Sequence, residues 1–260
     1  MHRFYLPPDQ CQDSVVQLTE RDARHAVKVL RLRSDDRFSV LDGIGHELHC
    51  QVDSAEKDSV QARVLSRNNI PPLPFELQLV QAVTKGKSMD LIIQKATELG
   101  ASSVIPVLSE RSIVHCDEDE ANAKQEKWQT IAIEAMKQCG QAYIPRIEKP
   151  RSLNATLGSP SIDRSSLCLV ASLQPGAVHP RAHIIQHAKE HGKRPRKLTL
   201  WIGPEGDFTP AEINAIKASG ALPVTLGPLI LRSETAALYI LSAMNYELQT
   251  EFEEQTPNQD

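Results

Sequence analysis

Two glycine-punctuated loops carry the residues best suited to chemistry. Gly203-Pro204-Glu205-Gly206-Asp207-Phe208 follows the apolar run Leu198-Thr199-Leu200-Trp201-Ile202 and leads into Thr209-Pro210-Ala211-Glu212. A strand that enters a helix through a tight loop places that loop at the carboxyl end of a sheet, where α/β proteins bind ligands. The loop is neither G-x-G-x-x-G nor a P-loop. Two acids with a proline make a poor phosphate cradle, since phosphate wants bare N–H groups and cations. A cationic or hydroxyl-rich ligand suits it better, although the same residues also serve as a plain turn whose glycines supply unusual φ. The second loop, Leu226-Gly227-Pro228-Leu229-Ile230-Leu231-Arg232-Ser233-Glu234-Thr235-Ala236, also joins a strand to a helix. Ser233 or Glu234 there reads as a helix cap. Arg232 reads either as a surface cation or as a fork aimed at a carboxylate or phosphate.

Three further groups invite weaker readings. His183, His187 and His191 recur along one helical face, but no thiol or carboxylate completes a ligand set, and Lys189, Lys193 and Arg194 surround them. No metal site is expected. Cys139, beside Lys137 and Gln138, lacks a nearby histidine or acid in sequence and reads as an idle thiol. Between Arg21 and Arg33, the cations Arg21, Arg24, Lys28, Arg31 and Arg33 face the single acid Asp22, which makes either a solvated charge run or a local phosphate-contacting face.

The elements that must position these residues follow from the hydropathy pattern. The chain has 260 residues, 40% hydrophobic and 24% charged, with a formal net charge of −4, the composition of a soluble protein with a sizeable core. No run is long and apolar enough for a membrane span, and Met1-His2-Arg3-Phe4-Tyr5 lacks the apolar core of a secretory signal. Five scattered cysteines form no C-x-x-C pair, so free thiols in a reducing cytoplasm are expected. From Arg3 to Val64, short stretches such as Phe38–Leu41, Leu48–Val52 and Val60–Val64 alternate with polar residues, and Asp42-Gly43-Ile44-Gly45 reads as a hairpin turn. Ile70-Pro71-Pro72-Leu73-Pro74 then makes a semi-rigid linker.

Beyond the linker, apolar runs at Leu77–Val83, Val104–Leu108, Leu167–Ser172, Leu198–Ile202 and Pro223–Leu226 read as buried parallel strands. A helix bounded by Ser88 and Gly100 lies between the first two, and Trp128–Cys139 is a second. Thr209 as N-cap, Pro210 at the first helical position and Glu212 completing a capping box start a third, which Gly220 stops. A last helix runs from Ser233 to Glu247, ahead of an acidic tail.

The ordered set of motifs closes a resemblance that covers nearly the whole chain. Gly203-Pro204-Glu205-Gly206, followed by Leu226-Gly227 and by Ile230-Leu231-Arg232-Ser233-Glu234-Thr235-Ala236, resembles the 16S ribosomal RNA uridine-N3 methyltransferases of the SPOUT superfamily. His2-Arg3-Phe4-Tyr5, His25–Arg33, Lys95–Gly100, Glu110-Arg111-Ser112, Glu134-Ala135, Gln138 and Pro145 extend it. The resemblance implies an α/β protein in which an N-terminal PUA-like β-barrel over residues 1–72 precedes a SPOUT methyltransferase domain over 73–248 with a trefoil knot, and a tail over 249–260. It further implies S-adenosylmethionine as cofactor, 16S rRNA of the small ribosomal subunit as substrate, a homodimer, and neither metal nor membrane.

By position, the resemblance places Leu173, Gly203, Pro204, Glu205, Gly206, Leu226, Gly227, Ile230, Leu231 and Thr235 against the cofactor, and makes Arg232 and Glu234 catalytic. Arg21, Arg24, Lys28, Arg31 and Arg33, extended by Lys85, Lys87 and Arg111, would contact RNA. Three positions depart from the family pattern: Gln141 and Leu229 stand where arginine is usual, and Asp207 where glycine is commoner. Another SPOUT activity such as ribose methylation, or a ribosome-binding module without turnover, would share much of this pattern. A Rossmann-type oxidoreductase lacks its glycine fingerprint here.

Overall fold

The computed structural model describes residues 2–112, 116–162 and 167–249, so that all of the expected acidic tail except Gln249 lies outside the described residues. The chain divides into two compact units. The first takes in Met1–Pro72 together with Ile133–Ile144, and the second Leu73–Ala132 with Pro145–Asp260. The sequence reading had placed residues 133–144 in the second domain.

The first unit is built on strands β1 (Arg3–Tyr5), β2 (Val15–Thr19), β3 (Arg37–Leu41), β4 (His46–Glu56) and β5 (Ser59–Asn69), with a short helix α1 (Glu20–Arg24) running into a π-helical turn at His25–Val29. They pair in the order β1-β3-β4-β5-β2, with β1 parallel to β3 and the rest antiparallel. Alternating residues such as Phe38, Val40, Leu48, Val52, Val60 and Ala62 are buried in one core. The β3–β4 turn falls at Asp42–Gly45 as expected. Gly43 and Gly45 take φ of +78° and +113°, and Asp42 Oδ1 accepts from the backbone N–H groups of Ile44 at 2.9 Å and His46 at 3.0 Å.

The second unit is a parallel sheet between helices. Its elements are β6 (Glu76–Ala82), α2 (Ser88–Glu98), β7 (Ala101–Leu108), α3 (Glu118–Cys139, which ends in the first unit), β8 (Arg146–Ile147), β9 (Arg151–Ser152), α4 (Leu153–Leu157) and β10 (Leu167–Ala171). The chain continues through α5 (Pro180–His191), β11 (Lys197–Ile202), α6 (Pro210–Ala218), β12 (Leu222–Val224) and α7 (Ser233–Gln249). The strand order is β12-β10-β11-β6-β7-β8, with β9 also on β7, and every pairing is parallel.

Both faces are buried, which is why these strands read as continuous apolar runs. Leu77, Leu79, Leu198, Leu200 and Ile202 pack with α2 and α7 residues such as Ile92, Ile93, Ile240 and Leu241. Val80, Ala82, Val107, Val170 and Trp201, on the opposite face, pack with Ile213 and Ile216 of α6.

Two helix starts differ from expectation. α3 begins at Glu118 rather than Trp128, because its first turns carry acids instead of an apolar stripe, and Glu118, Asp119 and Glu120 favour a helix N-terminus electrostatically. Ser88 is inside α2 rather than capping it; Lys87 holds the cap position and makes no side-chain cap bond.

Candidate active site

β12, β10 and β11 are neighbours in the sheet, so the loops leaving their carboxyl ends meet. Together they line an open cleft enclosing about 570 Å³ of space, solvent included. Ala171, Ser172 and Leu173 come from the end of β10; Ile202, Gly203, Pro204, Glu205 and Asp207 from that of β11. The loop after β12 adds Thr225, Leu226, Gly227 and Leu229 to Leu231, and α7 contributes Ser233 and Ala236. Glu205 and Asp207 are the charged side chains of this lining among the described residues, which contribute no lysine or arginine to it. The expected cofactor residues Leu173, Gly203, Pro204, Glu205, Leu226, Gly227, Ile230 and Leu231 are thus brought together, whereas Gly206 and Thr235 are outside the lining.

The β11 wall is cross-braced from several elements. Asp207 N–H donates to the Pro204 carbonyl at 2.9 Å, closing a turn. Gly203 is closely packed: a Cβ there would sit 3.1 Å from Asp207 Oδ1 and 3.1 Å from the Phe208 nitrogen, tight enough that the loop would have to shift to admit one. Ser233 Oγ donates to the Gly203 carbonyl at 2.6 Å and accepts from Gln81 Nε2 at 2.9 Å, so a residue expected to cap α7 instead ties α7 and β6 to the loop. Gln81, fully buried, also donates to its neighbour Ala82 O, while its Oε1 has no partner among the described residues.

The capping box forms as expected, with Thr209 Oγ1 accepting from Glu212 N at 3.3 Å and Glu212 Oε2 accepting from Thr209 N at 2.9 Å. Glu212 Oε1 reaches further and accepts from Glu110 N–H at 2.7 Å, joining the turn after β7 to the loop. Arg111 from the same turn donates to the Gly206 carbonyl at 2.7 Å. Arg111, one of the expected RNA cations, thus also braces the loop through one arm of its guanidinium.

The β12 wall is held more loosely. Thr225 Oγ1 donates to Gly227 O at 3.2 Å and accepts from Gly227 N, and beyond it Leu229 and Ile230 stand 74% and 81% exposed. Arg232 is exposed and Glu234 half-buried just after this wall, and neither side chain has a hydrogen-bond or ion-pair partner among the described residues. Both are next to the cleft in sequence without lining it. Sequence reasoning missed Asp207, Ser233 and Gln81 as site residues. Asp207 was visible as a departure from glycine, but the Gln81–Ser233 link joins residues far apart in sequence and left no local signal.

The remaining candidates fall elsewhere. In the first unit, Arg24 pairs with Asp58 at 2.9 Å and Arg21 lies 3.8 Å from Glu134, while Lys28, Arg31 and Arg33 are exposed without a side-chain partner among the described residues. Lys85 and Lys87 are exposed on the loop after β6. His183 Nε2 lies 3.3 Å from the Pro223 carbonyl, and the rings of His187 and His191 stack with centroids 4.2 Å apart.

Comparison with known proteins agrees in both units. A family model described as an RNA methyltransferase domain matches residues 71–245, and one described as an RNA methyltransferase PUA domain matches 18–65. The ribosomal RNA small subunit methyltransferase E of Bacillus subtilis is 31% identical over 252 residues, covering 95% of this chain and 97% of the relative. The enzyme of that name from Neisseria gonorrhoeae, solved bound to S-adenosylmethionine, superposes with a TM-score of 0.81 at 29% identity, covering 95% of this chain and 98% of its own. A methyltransferase from Legionella pneumophila, in complex with the same cofactor, gives 0.84 at 28% identity over 94% of this chain and 97% of its own. With loops that meet at the carboxyl ends of parallel strands and relatives matched from end to end, the chain belongs to the RNA methyltransferase family that carries a PUA domain.

Proposed function

We propose that the protein methylates N3 of a uridine in 16S rRNA of the small ribosomal subunit, with S-adenosylmethionine as donor. The observation that carries this reading is the cleft itself: apolar loops, backbone groups, three hydroxyl side chains and two carboxylates, with no cation among the described residues of its lining. Such a lining suits a ligand with an adenine, a cationic sulfonium and no phosphate, and would repel a phosphorylated cofactor. Leu226, Ile230 and Leu231 would cover the apolar body of the donor, while Leu173, Gly203, Pro204, Glu205 and Gly227 complete the walls; Gly206 and Thr235 adjoin them in the chain.

The donor supplies a methyl group on sulfur, open to in-line attack. Uracil N3 must lose its proton to attack, so the protein has to align the base and accept or stabilise charge there. Glu234 is the proposed proton acceptor, and Arg232 the group that orients the uracil and stabilises its anion. Both have their side chains unengaged, as such roles require. The exposed Lys28, Arg31 and Arg33 of the first unit would grip phosphates, with Arg21, Arg24, Lys85 and Lys87 adding charge. The trefoil knot implied by the resemblance belongs to the same reading.

A homodimer is part of the proposal, supported by the exposure of Leu229 and Ile230 at the cleft rim, where an unpartnered apolar patch invites a second copy. So is a cytoplasmic setting. No described helix is long and apolar enough to cross a membrane, and Cys11, Cys50, Cys116 and Cys139 are free thiols. Burial pushes the Cys11 thiol up to about 11 and that of Cys50 up to about 12, which keeps both protonated and unreactive.

The test is methyl transfer from labelled S-adenosylmethionine to unmodified small subunits and, in parallel, to their extracted RNA, with the product nucleoside identified by mass spectrometry. N3-methyluridine is expected. Another methylated nucleoside would redirect the reading to a different activity of the same fold, and cofactor binding without transfer would point to another RNA. Absence of cofactor binding would overturn it.

A further inference from the structure

Asp207 is one of four described non-glycine residues with positive φ, at +59°, and the one of the four that lines the cleft. Left-handed backbone is unfavourable by about 1 kcal/mol for an L-residue that glycine would adopt freely. Strain held at a binding site points to something the side chain does there. The carboxylate is anchored, with Oδ1 accepting from Phe208 N–H at 2.8 Å. No lysine, arginine or histidine pairs with it among the described residues, and Arg111, which reaches this loop from the turn after β7, donates to the Gly206 carbonyl. The half-buried Asp207 thus presents its carboxylate to a cleft otherwise lined by apolar side chains, backbone and the hydroxyls of Ser172, Thr225 and Ser233, with the exposed Glu205 as the second acid and no counter-cation among the described lining residues.

We infer that Asp207 is a specificity-determining residue that makes the cleft read the charge of its ligand, favouring the sulfonium donor over the demethylated product. This rests on the methyl-donor reading above. S-adenosylmethionine and S-adenosylhomocysteine share adenosine and the amino-acid tail and differ by one methyl and one positive charge. An apolar wall supplies contacts to both and separates them little, whereas a fixed carboxylate in a partly desolvated cleft attracts only the extra charge. Asp207 would therefore hold the donor and let the product go.

Calorimetric titration of the full chain with S-adenosylmethionine, S-adenosylhomocysteine and sinefungin, whose protonated amine stands in place of the sulfonium, tests this without turnover. Asp207→Asn keeps both the acceptor for Phe208 N–H and tolerance of the left-handed backbone, and Asp207→Gly serves as a second variant that relieves the strain; thermal unfolding verifies that each folds. For both variants the expected result is about a fivefold loss of affinity for the two cationic ligands, S-adenosylhomocysteine changing by less than about twofold, and a donor preference in the wild type that shrinks with added salt. Equal weakening of donor and product would overturn the inference, placing Asp207 at the shared amino group or in loop shape alone, and so would no weakening at all. A wild-type chain that binds none of the three would overturn the methyl-donor reading and this inference with it, an outcome distinct from the other two.

Discussion

The two walls of the cleft are made of similar sequence, glycine-containing loops that join a strand to a helix, yet they are held in different ways. The β11 wall is tied to three other elements: Ser233 of α7 donates to the Gly203 carbonyl and is itself held by Gln81 of β6, and Glu110 and Arg111 after β7 reach Glu212 and Gly206. The β12 wall, once past the bond from Thr225 N–H to the Val178 carbonyl, has a local threonine turn and two leading apolar side chains in solvent. A wall of satisfied polar groups is pre-organised, whereas a wall of exposed leucine and isoleucine gains its contacts when something covers it. The difference locates the site's rigidity in the loop that contains the acids and its adaptability in the loop that contains the apolar surface.

Breaking that asymmetry should show first at Glu212. Glu212→Ala removes two charge-assisted bonds from backbone N–H groups and the capping box, and should cost about 2–3 kcal/mol, a fall in Tm of roughly 5–10 °C by differential scanning calorimetry. Next, Ser233→Ala leaves the Gly203 carbonyl unpaired and should cost about 1–2 kcal/mol in urea unfolding. It should also raise amide hydrogen exchange at residues 203–208 with little change at 225–231. The smallest effect on stability is expected at Ile230→Ser, within about 0.5 kcal/mol because the side chain is already exposed. That variant should instead lower the dimer fraction in sedimentation analysis. A loss of stability at Ile230 equal to that at Ser233 would remove the contrast between the walls.

Local chemistry was readable wherever it was complete within a few residues. Thr209, Pro210 and Glu212 announce the start of α6, Asp42-Gly43 announces a turn, and the apolar runs announce strands buried on both faces. α3 was under-read because its first turns bury little and carry no stripe, and Ser88 was over-read because a serine near a helix start is only a statistical cap. At the site, eight expected cofactor residues line the cleft, since motif order follows chain order and the chain delivers those loops to one edge of the sheet.

The sequence by itself determined which segments become strands and helices, where the loops fall between them, and that the loops carry acids and glycine without a phosphate cradle. All of this rests on interactions between residues close in the chain, together with hydrophobic period. Only the tertiary structure decided that β10, β11 and β12 are adjacent, that Ser233 braces a carbonyl instead of capping its helix, and that Arg111 serves the loop. Those contacts join residues 30 to 152 positions apart. They exist because burying an unpaired carbonyl or amide is unfavourable, so the folded chain recruits whichever donor the packing brings within reach.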